Sequence, residues 1–272
     1  MTFEKLFDEY TKSPQFMGLS TRSKQAYLYA GRKMGEYLGD KPVGKIKRSD
    51  LLKFQQDTAD RPAYSNMTIR VASVVFSYAM NMDFVEHNPA ARLKKLKIGS
   101  HVRWSVDEVK TVIALNDRKI STAAALGWYT GQREGDVLSM RWSDFDGEYI
   151  AVTQQKTGLE MKIKAHPDLV AYLNGIRGTE PDHYYIVSGG THMSCSAFRG
   201  MLKRRTDKLS IRKVFHGIRK GVASSLAENG SPISEIAALM GHKSIRMAAY
   251  YAEQANAKVL TDNAVKNLKS CV

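Results

Sequence analysis

One internal stretch limits how the whole chain can fold. The segment HNPAARLKKLKIGSHVRW (residues 87–104) interrupts a helical pattern, because Pro89 cannot continue a helix and the basic run after it lacks apolar periodicity. With 272 residues, the chain is long enough for two modest hydrophobic cores. We therefore predict two domains, residues 1–95 and residues 104–272, joined by a basic linker at residues 96–103.

The first predicted domain has helical spacing of its apolar residues. The stretch STRSKQAYLYAGRKMGEYLG offers Ser20 or Thr21 as the N-cap of a helix that stops at Gly39. RSDLLKFQQDTAD predicts a second helix with Ser49 as its cap, and SNMTIRVASVVFSYAMNMDFV predicts a third. These patterns predict an all-helical module.

The second predicted domain is also mainly helical but contains a hairpin. Ser105 and Glu108 form a capping-box pattern, and STAAALGWYTG predicts a buried helix that ends at Gly131. EYIAVTQQ and MKIKAH have β character and are joined by KTGLE, with Gly158 in the turn. The predicted fold class is therefore mainly α with a small antiparallel β-sheet, in two domains.

The charge of the chain favours a polyanionic partner. The sequence has 41 Lys and Arg against 27 Asp and Glu, a net charge of +14. Residues 1–100 hold 17 basic and 10 acidic side chains and the remainder holds 24 and 17, so both parts can touch one polyanion. A solvated basic surface is the alternative. Nucleic acid is the first candidate for the polyanion, and the basic residues that we predict to contact it are Arg22, Lys24, Arg70, Lys94, Lys95 and Arg103.

Several classes of protein do not fit this composition. The two cysteines, Cys195 and Cys271, give no disulfide framework and are compatible with a reducing cytoplasm. No CxxC motif or histidine pair has metal-ligand spacing, so we predict no metal and no cofactor. No apolar run approaches the roughly 20 residues of a membrane span, so no membrane partner is expected.

Five short motifs of the second domain carry side chains suited to phosphate chemistry. They are TGQREGDVLSMRWSD with Arg133 and Asp136, QQKTG with Lys156, FHGIRKGVASSLAENG with His216 and Arg219, LMGHKS with His242, and AAYYAEQ with Tyr250 and Tyr251. His216 and Arg219 share a helix face, because three residues make nearly one helical turn. Each motif alone is weak, but their order and spacing together form a strong signal.

Together these motifs resemble the catalytic domain of the tyrosine recombinases, the phage integrase family. The family signature is Arg, a hairpin Lys, HxxR, His or Trp, and then Tyr, and the six positions occur here in that order over residues 104–255. The resemblance implies a site-specific DNA recombinase that cleaves and rejoins strands through a covalent 3′-phosphotyrosine intermediate. Lys220 is a departure, because many members of the family have His directly after the second Arg.

The resemblance also implies a role for each cation of the signature. Arg133 and Arg219 are expected to bind the phosphoryl oxygens, because guanidinium stays charged and can bond phosphate through two N–H groups. His242 is expected to add a further donor to the same oxygens. Lys156 on the hairpin is expected to protonate the departing 5′ oxygen as general acid.

Two supporting roles and the choice of nucleophile remain to be assigned. His216 is expected to accept the tyrosine proton or to bind a phosphate oxygen, and Asp136 to orient Arg133 or His216. Adjacent helical residues point about 100° apart, so only one ring of the tyrosine pair can meet the phosphate. In the family, the tyrosine commonly follows the His or Trp position by nine residues. Counting from His242 selects Tyr251 as the nucleophile and leaves Tyr250 to pack.

The partners implied by the resemblance are double-stranded DNA at specific recombination sites, a homotetramer assembled on that DNA and DNA-bending accessory proteins. The expected source is a phage or another mobile element, acting in the cytoplasm of a bacterial host and associated with its nucleoid. Two alternatives stay open at this point. One is a non-catalytic DNA-binding protein of the same fold, and the other is a strand transferase like the type IB topoisomerases.

Overall fold

The chain divides into two compact units, which are described separately. A computed structural model describes residues 1–115, 117–242, 244–252, 259–261 and 265, without the side chains of residues 245, 248, 251 and 252. Unit 1 comprises Met1–Ser100 and unit 2 comprises His101–Val272. No helix among the described residues is long and apolar enough to cross a membrane.

Unit 1 is built from helices, as its apolar spacing predicts. Its helices are α1 (Phe3–Thr11), α2 (Pro14–Met17), α3 (Thr21–Leu38), α4 (Arg48–Asp57) and α5 (Pro62–Asn81). Ser20 is the N-cap of α3, since its hydroxyl accepts a hydrogen bond from the backbone N–H of Ser23 (3.3 Å). The packing of α1, α3 and α5 against one another buries a core rich in aromatic rings, among them Phe3, Tyr10 and Phe76.

The expected cap of α4 is wrong. The helix begins at Arg48 with Lys47 as its N-cap, so Ser49 lies inside the first turn. The carboxylate of Asp50 accepts a hydrogen bond from the backbone N–H of Lys47 (2.7 Å) and also bonds the ammonium of Lys41 (2.6 Å). An acidic side chain that reaches back to the N-cap satisfies the same exposed donors that a serine cap serves.

The described residues of unit 2 form helices and a hairpin, which agrees with the predicted fold class. Its helices are α6 (Val106–Ile113), α7 (Arg118–Thr130), α8 (Glu134–Ser139), α9 (Pro167–Arg177), α10 (Cys195–Asp207), α11 (His216–Glu228), α12 (Ile233–Met240) and α13 (Ile245–Ala252). Strands β1 (Tyr149–Thr153) and β2 (Glu160–Lys164) pair antiparallel, with Thr153 opposite Glu160 at the turn. The capping box at Ser105 and Glu108 is present, with bonds of 2.7 and 3.2 Å.

Helix α7 lies in the core of unit 2, because all of its residues from Ile120 to Leu126 are buried. The segment that enters unit 2 lies against α11. The backbone N–H of Trp104 donates to the carbonyl of Gly217 (3.1 Å), and a Cβ at Gly217 would lie 2.3 Å from the carbonyl oxygen of Val102. The C-terminal end of the predicted linker therefore packs on the helix that carries the HxxR motif.

Candidate active site

Arg133 stands where two helices meet. Helix α7 ends at Gly131, whose φ of +63° is the left-handed conformation that glycine adopts readily at a helix end. Arg133 follows as the N-cap of α8, with its side chain 25% exposed. Its Nη1 donates to Oε1 of Gln154 (2.7 Å) and lies 3.8 Å from Oδ2 of Asp136. The sharp turn at Gly131 thus presents this guanidinium near the surface while two polar side chains hold it.

Arg219 is held much more deeply than Arg133. Its side chain on α11 is 1% exposed. Nη1 donates to the carbonyl of Gly131 (2.7 Å) and Nη2 donates to the carbonyl of Met240 (2.5 Å). These carbonyls belong to the ends of α7 and α12, where the last carbonyl groups lack helical partners. The arginine therefore satisfies both helix ends and takes a fixed orientation from them.

Two histidines accompany the arginines. His216 is the first residue of α11, and His242 follows Gly241, the left-handed glycine that ends α12. Burial, followed by the charges of His101 and Arg219, lowers the pKa of His216 to about 4. Burial, followed by the charges of Arg219 and Arg133, lowers the pKa of His242 to about 4. Both imidazoles are therefore neutral at pH 7, and each can accept a proton or a hydrogen bond.

The hairpin that carries Lys156 is tied to Arg133 at its base. Oε1 of Gln154 accepts a hydrogen bond from the hydroxyl of Thr157 (3.0 Å) as well as the bond from Arg133. The turn closes through the N–H of Gly158, which donates to the carbonyl of Gln154 (2.8 Å). Lys156 itself is exposed, and its ammonium makes no hydrogen bond or ion pair with any described residue. The base of the hairpin is thus fixed while its lysine faces solvent.

Asp136 supports Arg133 and the hairpin. It is 4% exposed, and its Oδ1 accepts a hydrogen bond from the backbone N–H of Gln155 (2.9 Å). Its other carboxylate oxygen lies on the side of Arg133. Of the two groups that Asp136 was expected to orient, the structure gives it contact with the arginine.

The tyrosine pair lies on α13, which packs against α11 and α12. The side chain of Tyr250 is 46% exposed. The side chain of Tyr251 lies outside the described residues, so its selection as nucleophile stays a prediction. The backbone places both residues on a helix that contacts α11, which carries Arg219, and α12, which ends two residues before His242.

Near the site, Gln154 escaped the sequence interpretation, and Lys220 was noted there only as a departure from the family pattern. Gln154 is fully buried, and the alternation of β1 gave a signal for it, because Ile150 and Val152 mark the inward face that Gln154 continues. Lys220 is 4% exposed, and its ammonium has no hydrogen bond or ion pair with a described residue. Burial lowers the pKa of Lys220. Its position one turn after His216 was a usable signal that it shares a helix face with that histidine.

The predicted DNA contacts fall in different surroundings. In unit 1, Arg22 and Arg70 are exposed and Lys24 is partly exposed. Exposed Lys94 and Lys95 line one groove of unit 1 together with Arg70.

Arg103 differs from these, because its guanidinium forms an ion pair with Oε1 of Glu228 (2.7 Å) in unit 2.

Among the residues that the structure describes, no group of three His, Cys, Asp or Glu side chains is placed to hold a metal ion.

Comparisons with known proteins identify relatives of this chain. The sequence model of the phage integrase family matches residues 104–258. The integrase of Enterobacteria phage 434 is 27% identical over 92% of this chain and 76% of its own length, and the integrase of Escherichia phage lambda is 26% identical over the same shares. A structure of a lambda integrase tetramer bound to a Holliday junction has a TM-score of 0.79 at 21% identity, covering 94% of this chain and 79% of that one.

Proposed function

We propose, since this chain belongs to the phage integrase family of tyrosine recombinases, that it cuts and rejoins DNA at specific sites through a covalent 3′-phosphotyrosine intermediate. One observation carries the proposal from the side of the structure. Arg219 bonds the carbonyl of Gly131, Arg133 follows that glycine by two residues and bonds Gln154, and the charges of both arginines help to lower the pKa of His216 and His242. Neither alternative, a non-catalytic binding protein or a topoisomerase-like enzyme, is favoured by this arrangement or by the relatives.

The arginines act on the charge of the reacting phosphate. In the transition state negative charge builds on the non-bridging oxygens, and donors already oriented toward that charge need no reorganisation. Helix-end carbonyls fix Arg219, and the carboxamide of Gln154 fixes Arg133. His242 contributes its imidazole N–H to the same oxygens. By analogy with other oxyanion-binding donors, each such group lowers the activation free energy of cleavage by about 2.7–4 kcal/mol.

The protons move through the other two side chains. Neutral His216 accepts the phenolic proton as the tyrosine oxygen bonds to phosphorus. The bond from phosphorus to the 5′ oxygen breaks at the same centre, and Lys156 gives that oxygen a proton. Reversal of these steps by the 5′ hydroxyl of another strand rejoins the DNA. The phosphotyrosine bond conserves the energy of the phosphodiester, so ligation needs no nucleotide cofactor.

The substrate and the assembly extend this reaction to DNA. We assign double-stranded DNA as the partner, with Arg22, Lys24, Arg70, Lys94 and Lys95 as phosphate contacts of the predicted core-binding domain (residues 1–95). Arg103 joins them if DNA draws it away from Glu228. A homotetramer on two recombination sites follows the lambda integrase tetramer. DNA-bending accessory proteins and action at the nucleoid of a bacterial host belong to the same proposal.

The decisive test uses a nicked substrate that traps the covalent intermediate. The wild-type protein is expected to form an adduct that survives denaturation, and Tyr251→Phe to abolish it while DNA binding persists. Tyr250→Phe is the matched control, because it removes the neighbouring hydroxyl from the same helix. Loss of the adduct in Tyr250→Phe alone would transfer the nucleophile to Tyr250. Tight binding without any adduct in the wild-type protein would leave only a DNA-binding function.

A further inference from the structure

We propose that Gln154 is a positioning residue that sets the relative placement of Arg133, Arg219 and the Lys156 hairpin. The proposal deepens the recombinase function given above and rests on it. Gln154 follows strand β1 directly, it is fully buried, and it belongs to none of the motif positions to which chemistry was assigned.

The carboxamide of Gln154 uses its full hydrogen-bonding capacity. Its Oε1 accepts from Nη1 of Arg133 (2.7 Å) and from the hydroxyl of Thr157 (3.0 Å). Its Nε2 donates to Oε1 of Gln132 (2.7 Å) and to the carbonyl of Met240 (3.0 Å). A primary carboxamide offers two acceptor sites and two donors, so this group has one orientation that satisfies all four partners.

The same group connects the two arginines. The carbonyl of Met240 accepts from Nε2 of Gln154 and also from Nη2 of Arg219. The path from Arg133 through Gln154 and Met240 to Arg219 therefore consists of hydrogen bonds alone. A shift of Gln154 would displace both guanidinium groups together, since a buried network transmits changes among its members.

The end of α12 is shaped around this side chain. A Cβ at Gly241 would lie 2.3 Å from Nε2 of Gln154, and Gly241 has a φ of +60°. Any other residue would be strained at this left-handed position, and its Cβ would also displace the carboxamide of Gln154. His242 follows Gly241 directly, so the contact between Gln154 and Gly241 also helps to fix the backbone position of this histidine.

A purely structural role predicts different behaviour from a positioning role. A structural carboxamide satisfies buried backbone groups, and its loss lowers stability while the chemistry at a folded site is unchanged. The acceptor side of Gln154 instead bonds a guanidinium of the site and the turn beside Lys156. Misplacement of reacting groups by about 1 Å can lower a rate about 10²-fold.

The test compares Gln154→Met with Gln155→Met. Gln155 is the adjacent glutamine, and its exposed side chain bonds Ser139 and the carbonyl of Gly135 rather than either arginine. Single-turnover covalent cleavage is measured with saturating protein, at a temperature where both variants are folded. We expect Gln154→Met to cleave roughly 10- to 100-fold more slowly with nearly unchanged DNA affinity, and Gln155→Met to match the wild type.

A double variant separates positioning from stability. In Arg133→Ala the guanidinium that Gln154 orients is gone, so adding Gln154→Met is expected to slow cleavage by much less than it does in the wild type. The positioning role is overturned if the double variant is slowed by the full product of the two single-variant decreases in cleavage rate. It is also overturned if Gln154→Met cleaves as fast as Gln155→Met.

A wild-type protein without any covalent adduct would instead refute the recombinase function itself. Should Gln154→Met fail to fold, Thr157→Val removes a bond to the same Oε1 at a partly exposed position. That variant is expected to slow cleavage several-fold, and an unchanged rate would count against the proposal.

Discussion

Arg219 and Lys156 are both cations of the proposed reaction, yet their surroundings are opposite. Arg219 is buried and bonded to the carbonyls of two helix ends, whereas Lys156 is exposed at a hairpin turn without a described partner. A group that stabilises transition-state charge gains from a fixed orientation. A group that delivers a proton has to approach an oxygen that becomes basic only as the bond breaks. In the proposed reaction, the phosphate is thus bound by a buried arginine of fixed orientation, and the proton comes from an exposed lysine.

The largest expected effect concerns Arg219, the buried cation. Arg219→Ala is expected to slow covalent cleavage on the order of 10³-fold, since it removes a phosphate donor. It should also lower the free energy of unfolding by about 1–3 kcal/mol, because the buried carbonyl of Gly131 is left unsatisfied, whereas the carbonyl of Met240 keeps its hydrogen bond from Gln154. Nicked-substrate trapping and urea unfolding measure the two losses. A variant that loses activity without losing stability would contradict the anchored description of Arg219.

Replacement of Lys156, the exposed cation, should affect activity but not stability. Lys156→Ala is expected to slow cleavage about 10²-fold with no measurable loss of stability, because the side chain is exposed and unpaired among the described residues. Replacing the 5′-bridging oxygen of the substrate by sulfur should restore the rate, since a thiolate leaves without a proton. Arg219→Ala should not be rescued by sulfur. Failure of the sulfur substrate to rescue Lys156→Ala would remove the general-acid role from this lysine.

The two histidines near Arg219 should make the free energy of unfolding depend on pH. The pKa of His216 and of His242 is about 4 in the folded protein, against 6.5 for an ordinary histidine. Above pH 6.5 both histidines are neutral in the folded and in the unfolded chain, so their shifted pKa values do not change the free energy of unfolding. As pH falls from 6.5 toward 4, the unfolded chain binds protons that the folded chain does not, so the free energy of unfolding decreases.

Urea titrations between pH 4 and pH 8 measure this dependence. A His216→Gln, His242→Gln double variant should show a flatter profile over the same window, because the shifted groups are gone. An unchanged profile would mean that other groups cause the loss of stability in acid.

The smallest expected effect concerns a third cation. Lys220 is buried like Arg219 but has no hydrogen bond or ion pair with a described residue. Lys220→Met should therefore raise the free energy of unfolding at pH 7 by about 1 kcal/mol, since a buried charge without a partner is costly. Exposed Lys110 provides the control, because Lys110→Met should change stability by less than about 0.5 kcal/mol.

The effect of Lys220→Met should also depend on pH in a defined direction. Burial lowers the folded-state pKa of Lys220 below the 10.5 of an unfolded lysine. As pH rises toward 10.5, the unfolded lysine also loses its proton, and the advantage of methionine should shrink. A constant difference between variant and wild type up to pH 10.5 would show that packing, rather than charge, explains the gain.

Local signals in the sequence were sufficient for much of the fold. The cap at Ser20, the capping box at Ser105 and Glu108, the helix end at Gly131 and the hairpin turn at Gly158 all occur as predicted. Each of these depends on residues within a few positions of one another, so their geometry is encoded locally. The cap of α4 was wrong because two neighbouring residues, Ser49 and Asp50, could both satisfy the helix N-terminus.

The sequence by itself determined which chemical groups this protein has and in what order, and that order was enough to indicate the family. Only the tertiary structure decided how each group is held. Arg103 bonds Glu228, which lies 125 positions away, and Arg219 bonds carbonyls that are 88 and 21 positions away. The fourfold bonding of Gln154 likewise joins separate elements. Such contacts depend on how helices and hairpin pack, and residue order does not specify that packing in any short window.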